Sequence, residues 1–105
     1  MTISQEQLEQ SIITQLKTIY DPEIPVDIYE LGLIYEINFP EPDHAEIVMT
    51  LTSPNCPAAE HLPQEVEEKV GRVEGLKKVT VRITFDPPWS KDMMSEEAQL
   101  ELGLL

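Results

Sequence analysis

Residues 45–85 most restrict the fold, because they read as strand, helix and strand in one uninterrupted run. Ala45 to Thr52 is β-branched and partly alternating, and Ala58 to Val70 sets apolar residues at helical spacing. Lys77 to Phe85 alternates again, with Val79, Val81, Ile83 and Phe85 on one side. If the two strands are parallel, the connection between them is a right-handed crossover and its helix lies on one face of the sheet. One conflict stands inside that helix. Pro63 interrupts the pattern Ala59, Leu62, Val66, Val70, and an interior proline costs about 3 kcal/mol. A first turn at 57–61 followed by a kink, or a restart at Pro63, resolves it.

The flanking chain supplies two more helices and one more strand. Ser4 to Gln7 reads as a capping box, and Leu8, Ile12, Leu16 and Ile19 recur every three or four residues, predicting a helix over 5–19 that stops at Asp21-Pro22. Asp21 to Pro25 is expected to be an ordered, exposed loop, its two acids turn formers and solvated charges or, less simply, neighbours of the cysteine. Gly32 suits a turn or bulge. The alternating positions 33, 35, 37 and 39 then predict a strand. Pro40 to His44 is a five-residue turn closing an antiparallel hairpin, with His44 exposed at its tip and not a ligand. After the third strand, Asp86-Pro87-Pro88-Trp89-Ser90 is a rigid loop in which Trp89 plugs the sheet edge. A last helix runs over about 93–102, starting near Ser90 or Asp92 and ending at Gly103, with Met94, Ala98 and Leu102 on one face and Met93 exposed. The expectation is a single α+β domain over 1–105, ordered from about 5 to 103. Its order is helix-strand-strand-helix-strand-helix, two-layered, with a small mixed three-stranded sheet covered by helices.

Chemistry concentrates at the strand–helix junction Leu51 to Pro57, which holds the only cysteine. Pro57 suits the first helical position and would make Cys56 the N-cap. There the helix dipole, worth roughly 0.3 to 1 kcal/mol at an exposed site, favours the thiolate. Glu60 opposes this locally and His61 supports it if protonated or sharing a ligand. A lone cysteine is as readily a small apolar filler, so position alone leaves a reactive or ligating thiol and a core filler both open. If the second and third strands are parallel neighbours, the loop carrying Thr52, Asn55, Cys56 and Pro57 shares one end of the sheet with the loop carrying Asp86, Pro87, Pro88 and Trp89, where ligands of open α/β arrangements commonly bind.

Composition narrows the partners. One cysteine excludes an intrachain disulfide, and no apolar run approaches a membrane span. The N-terminus lacks the basic start and apolar stretch of a signal peptide, so a soluble, cytoplasmic protein is expected. Residues 1–68 hold fourteen acids against Lys17 alone, whereas residues 69–105 balance six against six. Such a surface repels nucleic acid and anionic membrane, and suits basic patches on proteins or metal cations, or simply solubility.

Three stretches in order carry a family resemblance: Asp21 to Tyr35, Met49 to Pro57, and Phe85 to Trp89. Together they resemble the small iron–sulfur assembly family that includes SUF-associated SufT-type proteins, PaaD-type proteins of phenylacetate degradation and a eukaryotic component of cytosolic cluster targeting. The bare domain and the Asp-Pro-Pro-Trp motif are most similar to the SufT-type branch. The resemblance implies a role in maturing or transferring iron–sulfur clusters, with Cys56 matching the reactive cysteine. Asp21, Glu23 and Asp86 match further family positions.

A conventional cluster takes four cysteine ligands and this chain offers one. A symmetric dimer would offer two, leaving sites for His61, a carboxylate or an exogenous thiol. Transient handling of iron or a cluster through Cys56 is therefore expected, with none tightly bound, and with assembly and client proteins as partners docking on the acidic surface. The alternatives are an adaptor that binds no metal, in which Cys56 is structural, and a thiol enzyme using Cys56 as nucleophile and His61 as base, which lacks an orienting third group.

Overall fold

The computed structural model describes residues 4–21, 24–52 and 61–103. Helix α1 spans Gln5–Leu16 and opens with the expected capping box: Gln7 N–H donates to Ser4 Oγ at 3.1 Å, and Ser4 N–H to Gln7 Oε1 at 3.1 Å. It ends a turn earlier than the proline signal indicates. Thr18 N–H and Ile19 N–H bond back three residues, and the Thr18 hydroxyl takes Gln15 O at 2.6 Å, so the helix tightens and closes. Ile19 remains fully buried beyond it. Tyr20 then bridges Asp27 in antiparallel fashion, and Asp21 N–H donates to Val26 O.

Strand β1 (Ile34–Glu41) pairs antiparallel with β2 (His44–Met49), and β2 pairs parallel with β3 (Lys78–Ile83) in register from His44–Lys78 to Met49–Ile83. The sheet order is β1-β2-β3, so β1 is an edge strand and tolerates Pro40. At the hairpin end both strands run further than expected, β1 to Glu41 and β2 back to His44, so the loop shrinks to Pro42 and Asp43, while at its other end β2 stops at Met49, short of the expected Thr52. His44 is consequently not an exposed tip residue. It is half-buried in β2, with Nε2 2.8 Å from Thr80 Oγ1. A register shift between Ile34 and Glu36 also breaks the expected alternation of 33, 35, 37 and 39. Ile34, Ile37 and Phe39 pack on the core.

Helix α2 (Leu62–Val70) connects β2 to β3, with Pro63 in its first turn, where no backbone bond is lost. The helix thus starts beside Pro63, and the alternative first turn at 57–61 lies, apart from His61, outside the described residues. A 3₁₀ turn over Lys91–Met93 precedes a short helix α3 (Glu96–Glu101), capped by Ser95, whose Oγ accepts from Ala98 N–H at 3.2 Å. This helix is shorter than expected because Met94 is extended and Ser95 takes the N-cap. Among the described residues, the α+β order of helix, two strands, helix, strand and helix is as the sequence indicates.

One core joins these elements. Leu8, Ile12 and Leu16 of α1, Val66 and Val70 of α2, Ala45, Ile47 and Met49 of β2, and Met94 and Ala98 near the C-terminus belong to a single buried cluster. Truncating side chains of this kind to alanine costs about 2–5 kcal/mol. Gly32 marks the tightest backbone approach. Its φ is +82°, and a Cβ there would collide with the carbonyl oxygen of Met93. Gly103 also has positive φ, +74°, but open space around it. Gly32→Ala should therefore lose more than about 2 kcal/mol, combining backbone strain with displacement of Met93, and Gly103→Ala only about 1 kcal/mol. Urea unfolding of both variants checks this, and equal losses would contradict the close approach.

Candidate functional site

Strands β2 and β3 end side by side. Met49 pairs with Ile83, Thr84 N–H donates to Met49 O at 2.9 Å, and Thr50 N–H donates to Leu33 O at 2.8 Å. The segments leaving both strands therefore depart from the same end of the sheet. This meets the condition that the sequence left open. Half-buried Thr52 is the last described residue before the cysteine segment.

The loop after β3 is tied to the stretch preceding and opening β1. Trp89 Nε1 donates to Leu31 O at 2.7 Å while its ring packs half-buried on the core. Tyr35 donates its hydroxyl proton to Pro87 O at 2.7 Å and lies 3.5 Å from Met93 Sδ. Thr84 Oγ1 accepts from Asp86 N–H at 3.2 Å, and the Asp86-Pro87 peptide is cis. With its backbone so held, the loop presents Asp86, Pro87 and Pro88 to solvent.

Between this loop and the open face of the sheet lies a groove of about 600 Å³. Its floor is Val48, 2% exposed although it points away from the helix-covered face. Tyr35, Pro87 and Met93 form the apolar wall, and Glu36, Arg82, Thr84 and Asp86 bring the polar groups. None of Glu36, Arg82 and Asp86 forms an ion pair among the described residues. Sequence reading missed Tyr35, Val48, Arg82 and Met93. Tyr35 was expected on the core side, but the register shift in β1 turns it to the groove. Met93 was expected to be exposed and is half-buried beneath the Tyr35 hydroxyl.

The other residues singled out by sequence fare unequally. Asp86 and the Pro87-Pro88-Trp89 loop sit at the groove. Asp21 does not have the exposure expected of its loop: it is 4% exposed, and its Oδ1 accepts from Ile24 N–H at 3.1 Å, holding the turn before the bridge to Asp27. His61 is the exposed N-cap of α2, where its carbonyl accepts from Glu65 N–H. Glu23, Asn55, Cys56 and Pro57 lie outside the described residues, and with them the expectation that Cys56 caps a helix. Among the described residues, no three His, Cys, Asp or Glu side chains gather as a metal site, and no helix is long and apolar enough to cross a membrane.

Fold and site define a class: a small α+β domain whose mixed sheet carries helices on one face and a groove on the other, beside two loops leaving parallel strands. Residues 9–83 match the family described as iron–sulfur cluster assembly protein, and the chain belongs to that family. It is 52% identical over 99 residues to an Fe-S protein maturation auxiliary factor of Porphyromonas gingivalis, covering 94% of each chain. It is 36% identical over 86 residues to the Fe-S protein maturation auxiliary factor SufT of Staphylococcus aureus, covering 82% of this chain and 98% of that one. The crystal structure of a domain of unknown function from Bacillus anthracis superposes with a TM-score of 0.88 at 36% identity, covering 96% of each chain. The resemblance carried by the three motifs is thus met, including its SufT-type branch.

Loss of the Tyr35 hydroxyl should loosen the Asp86 loop without opening the core. Tyr35→Phe is expected to lower stability by about 0.5–1.5 kcal/mol and to shift the emission of Trp89, the only tryptophan, to longer wavelength. Wild-type emission and an unchanged urea midpoint would contradict the anchoring role.

Proposed function

We propose that this protein is an auxiliary factor in iron–sulfur protein maturation, handling iron or a cluster transiently as cargo. Cys56 is the thiolate contact, and the Asp86 to Trp89 loop is the opposing rim. One observation carries the reading. The parallel β2–β3 register brings the loop after β3 to the sheet end from which the cysteine segment departs. The names of the relatives, maturation auxiliary factors, support the same role.

The chemistry limits how the cargo is held. One thiol per chain cannot complete the four-thiolate set of a conventional cluster. Two chains together give two thiolates, and the remaining positions fall to carboxylates, an imidazole or an exogenous thiol. Incomplete protein ligation suits delivery, because a client offering more thiolates binds the cargo better. Asp86 is the carboxylate best placed to contribute from the rim, since it is exposed and forms no ion pair among the described residues.

Anaerobic incubation of wild type and Cys56→Ser with iron and sulfide, followed by analysis of both per chain, tests this directly. Uptake that depends on Cys56, at fewer than one cluster per chain, is the expected result. Equal uptake by both proteins would remove Cys56 from the mechanism. Uptake by neither would leave the adaptor reading in its place.

A further inference from the structure

A second groove, about 490 Å³ and sharing no residue with the first, lies between the segment around Tyr20 to Glu30 and α3. Its apolar content is unusual for this surface. Tyr20 and Leu100 are 57% and 61% exposed, and they are two of the three large apolar side chains that stand exposed among the described residues. Buried Val26 and Ala98 line the groove with them. Among the described residues, every charged side chain in the lining is acidic: Asp27, Glu30, Glu97 and Glu101. Glu30 is paired with Lys17 at 3.7 Å, while Asp27, Glu97 and Glu101 form no ion pair among the described residues. The two sides are fixed to each other by Ser95 N–H donating to Glu30 O at 2.9 Å. The groove is thus organised before anything binds, which lowers the ordering cost of association.

Exposed apolar side chains rimmed by polar groups mark interaction surfaces, and charge selects the partner. We propose that this groove docks a basic, amphipathic segment of a partner protein. Apolar side chains of that segment seat between Tyr20 and Leu100, and its Lys or Arg side chains meet Asp27, Glu97 and Glu101. Nucleic acid and anionic lipid carry the rim's own charge and are disfavoured. A small polycation would satisfy the carboxylates but gain nothing from Tyr20 and Leu100. Face-to-face pairing of two copies through the groove would oppose two acidic rims. This surface is separate from the Asp86 groove, and docking there requires no cargo at Cys56.

The test uses the whole chain and two synthetic amphipathic helices, one with leucines opposite lysines and its twin with leucines opposite glutamates. Binding is followed by amide chemical shifts. The lysine peptide should bind, with shifts centred on Tyr20, Asp27 and Glu97 to Glu101, and the glutamate twin should not. Leu100→Ser and the double variant Glu97→Lys/Glu101→Lys should each weaken binding roughly tenfold. Glu67→Lys/Glu68→Lys, which reverses the same charge on exposed positions of α2, should leave it within about twofold. All changed side chains are exposed, and amide spectra of the free variants verify folding. Equal weakening by the α2 variant, or none from Leu100→Ser, would reduce the effect to diffuse charge attraction and overturn the proposal. So would shifts centred on Val48 and Tyr35, or self-association that buries the groove. No iron or sulfide is present, so failure here leaves the Cys56 reading standing, and failed cluster uptake leaves this one standing.

Discussion

The parallel pairing of β2 with β3 is the constraint on which the rest of the molecule depends. Parallel neighbours cannot be joined by a hairpin, so the chain must cross over, and α2 with its flanking segments is that crossover. The crossover lays Val66 and Val70 on the sheet, where they meet Ile12 and Leu16 of α1 in one cluster. The same pairing sends both post-strand loops out at one end of the sheet. A single topological choice thereby fixes where the core lies and at which end of the sheet the two segments leave.

The second consequence is an uncovered face. With the helices on one side of the sheet, Glu36, Val48 and Arg82 remain on the other. The Asp86 loop, held by Tyr35 and Trp89, turns part of that face into a groove. Gly32 belongs to the same device, because only a residue without a Cβ lets the Met93 segment close beneath Tyr35. The acidic groove beside Tyr20 has a different origin. It arises where the short bridge between Tyr20 and Asp27 meets α3, joining carboxylates from the acid-rich first two thirds of the chain to two from its charge-balanced end.

Much of this was legible in the sequence, for identifiable reasons. The capping box, the helical spacing and the alternation of Val79, Val81 and Ile83 in β3 are local patterns, and local physics realises them, whereas Phe85, expected on the same side, lies past the end of the strand and is 42% exposed. Pro63 could be resolved because a proline in a first turn costs no hydrogen bond. What escaped depends on long-range geometry. The register shift in β1 reassigns Tyr35 from core to groove, and the extent of the hairpin decides whether His44 is a turn tip or a strand residue. Asp21 looks like any loop acid until the backbone folds over it. Arg82 reads as an ordinary alternating position in β3, and only the third dimension brings it into one groove with Asp86 and Glu36. The described residues of the three motifs that carried the family resemblance are, in the fold, the stretch of 21–35 that leads into and opens β1, the end of β2 with the three residues after it, and the loop that closes the groove.

Cys56 is the only cysteine and Trp89 the only tryptophan, so the central claim, that their two loops form one site, has a built-in reporter pair. A contact-range fluorescence quencher attached to Cys56 should strongly reduce the emission of Trp89, and urea unfolding should relieve the quenching. Full Trp89 emission from the folded, labelled protein would place the cysteine away from the Asp86 to Trp89 rim and contradict the shared site.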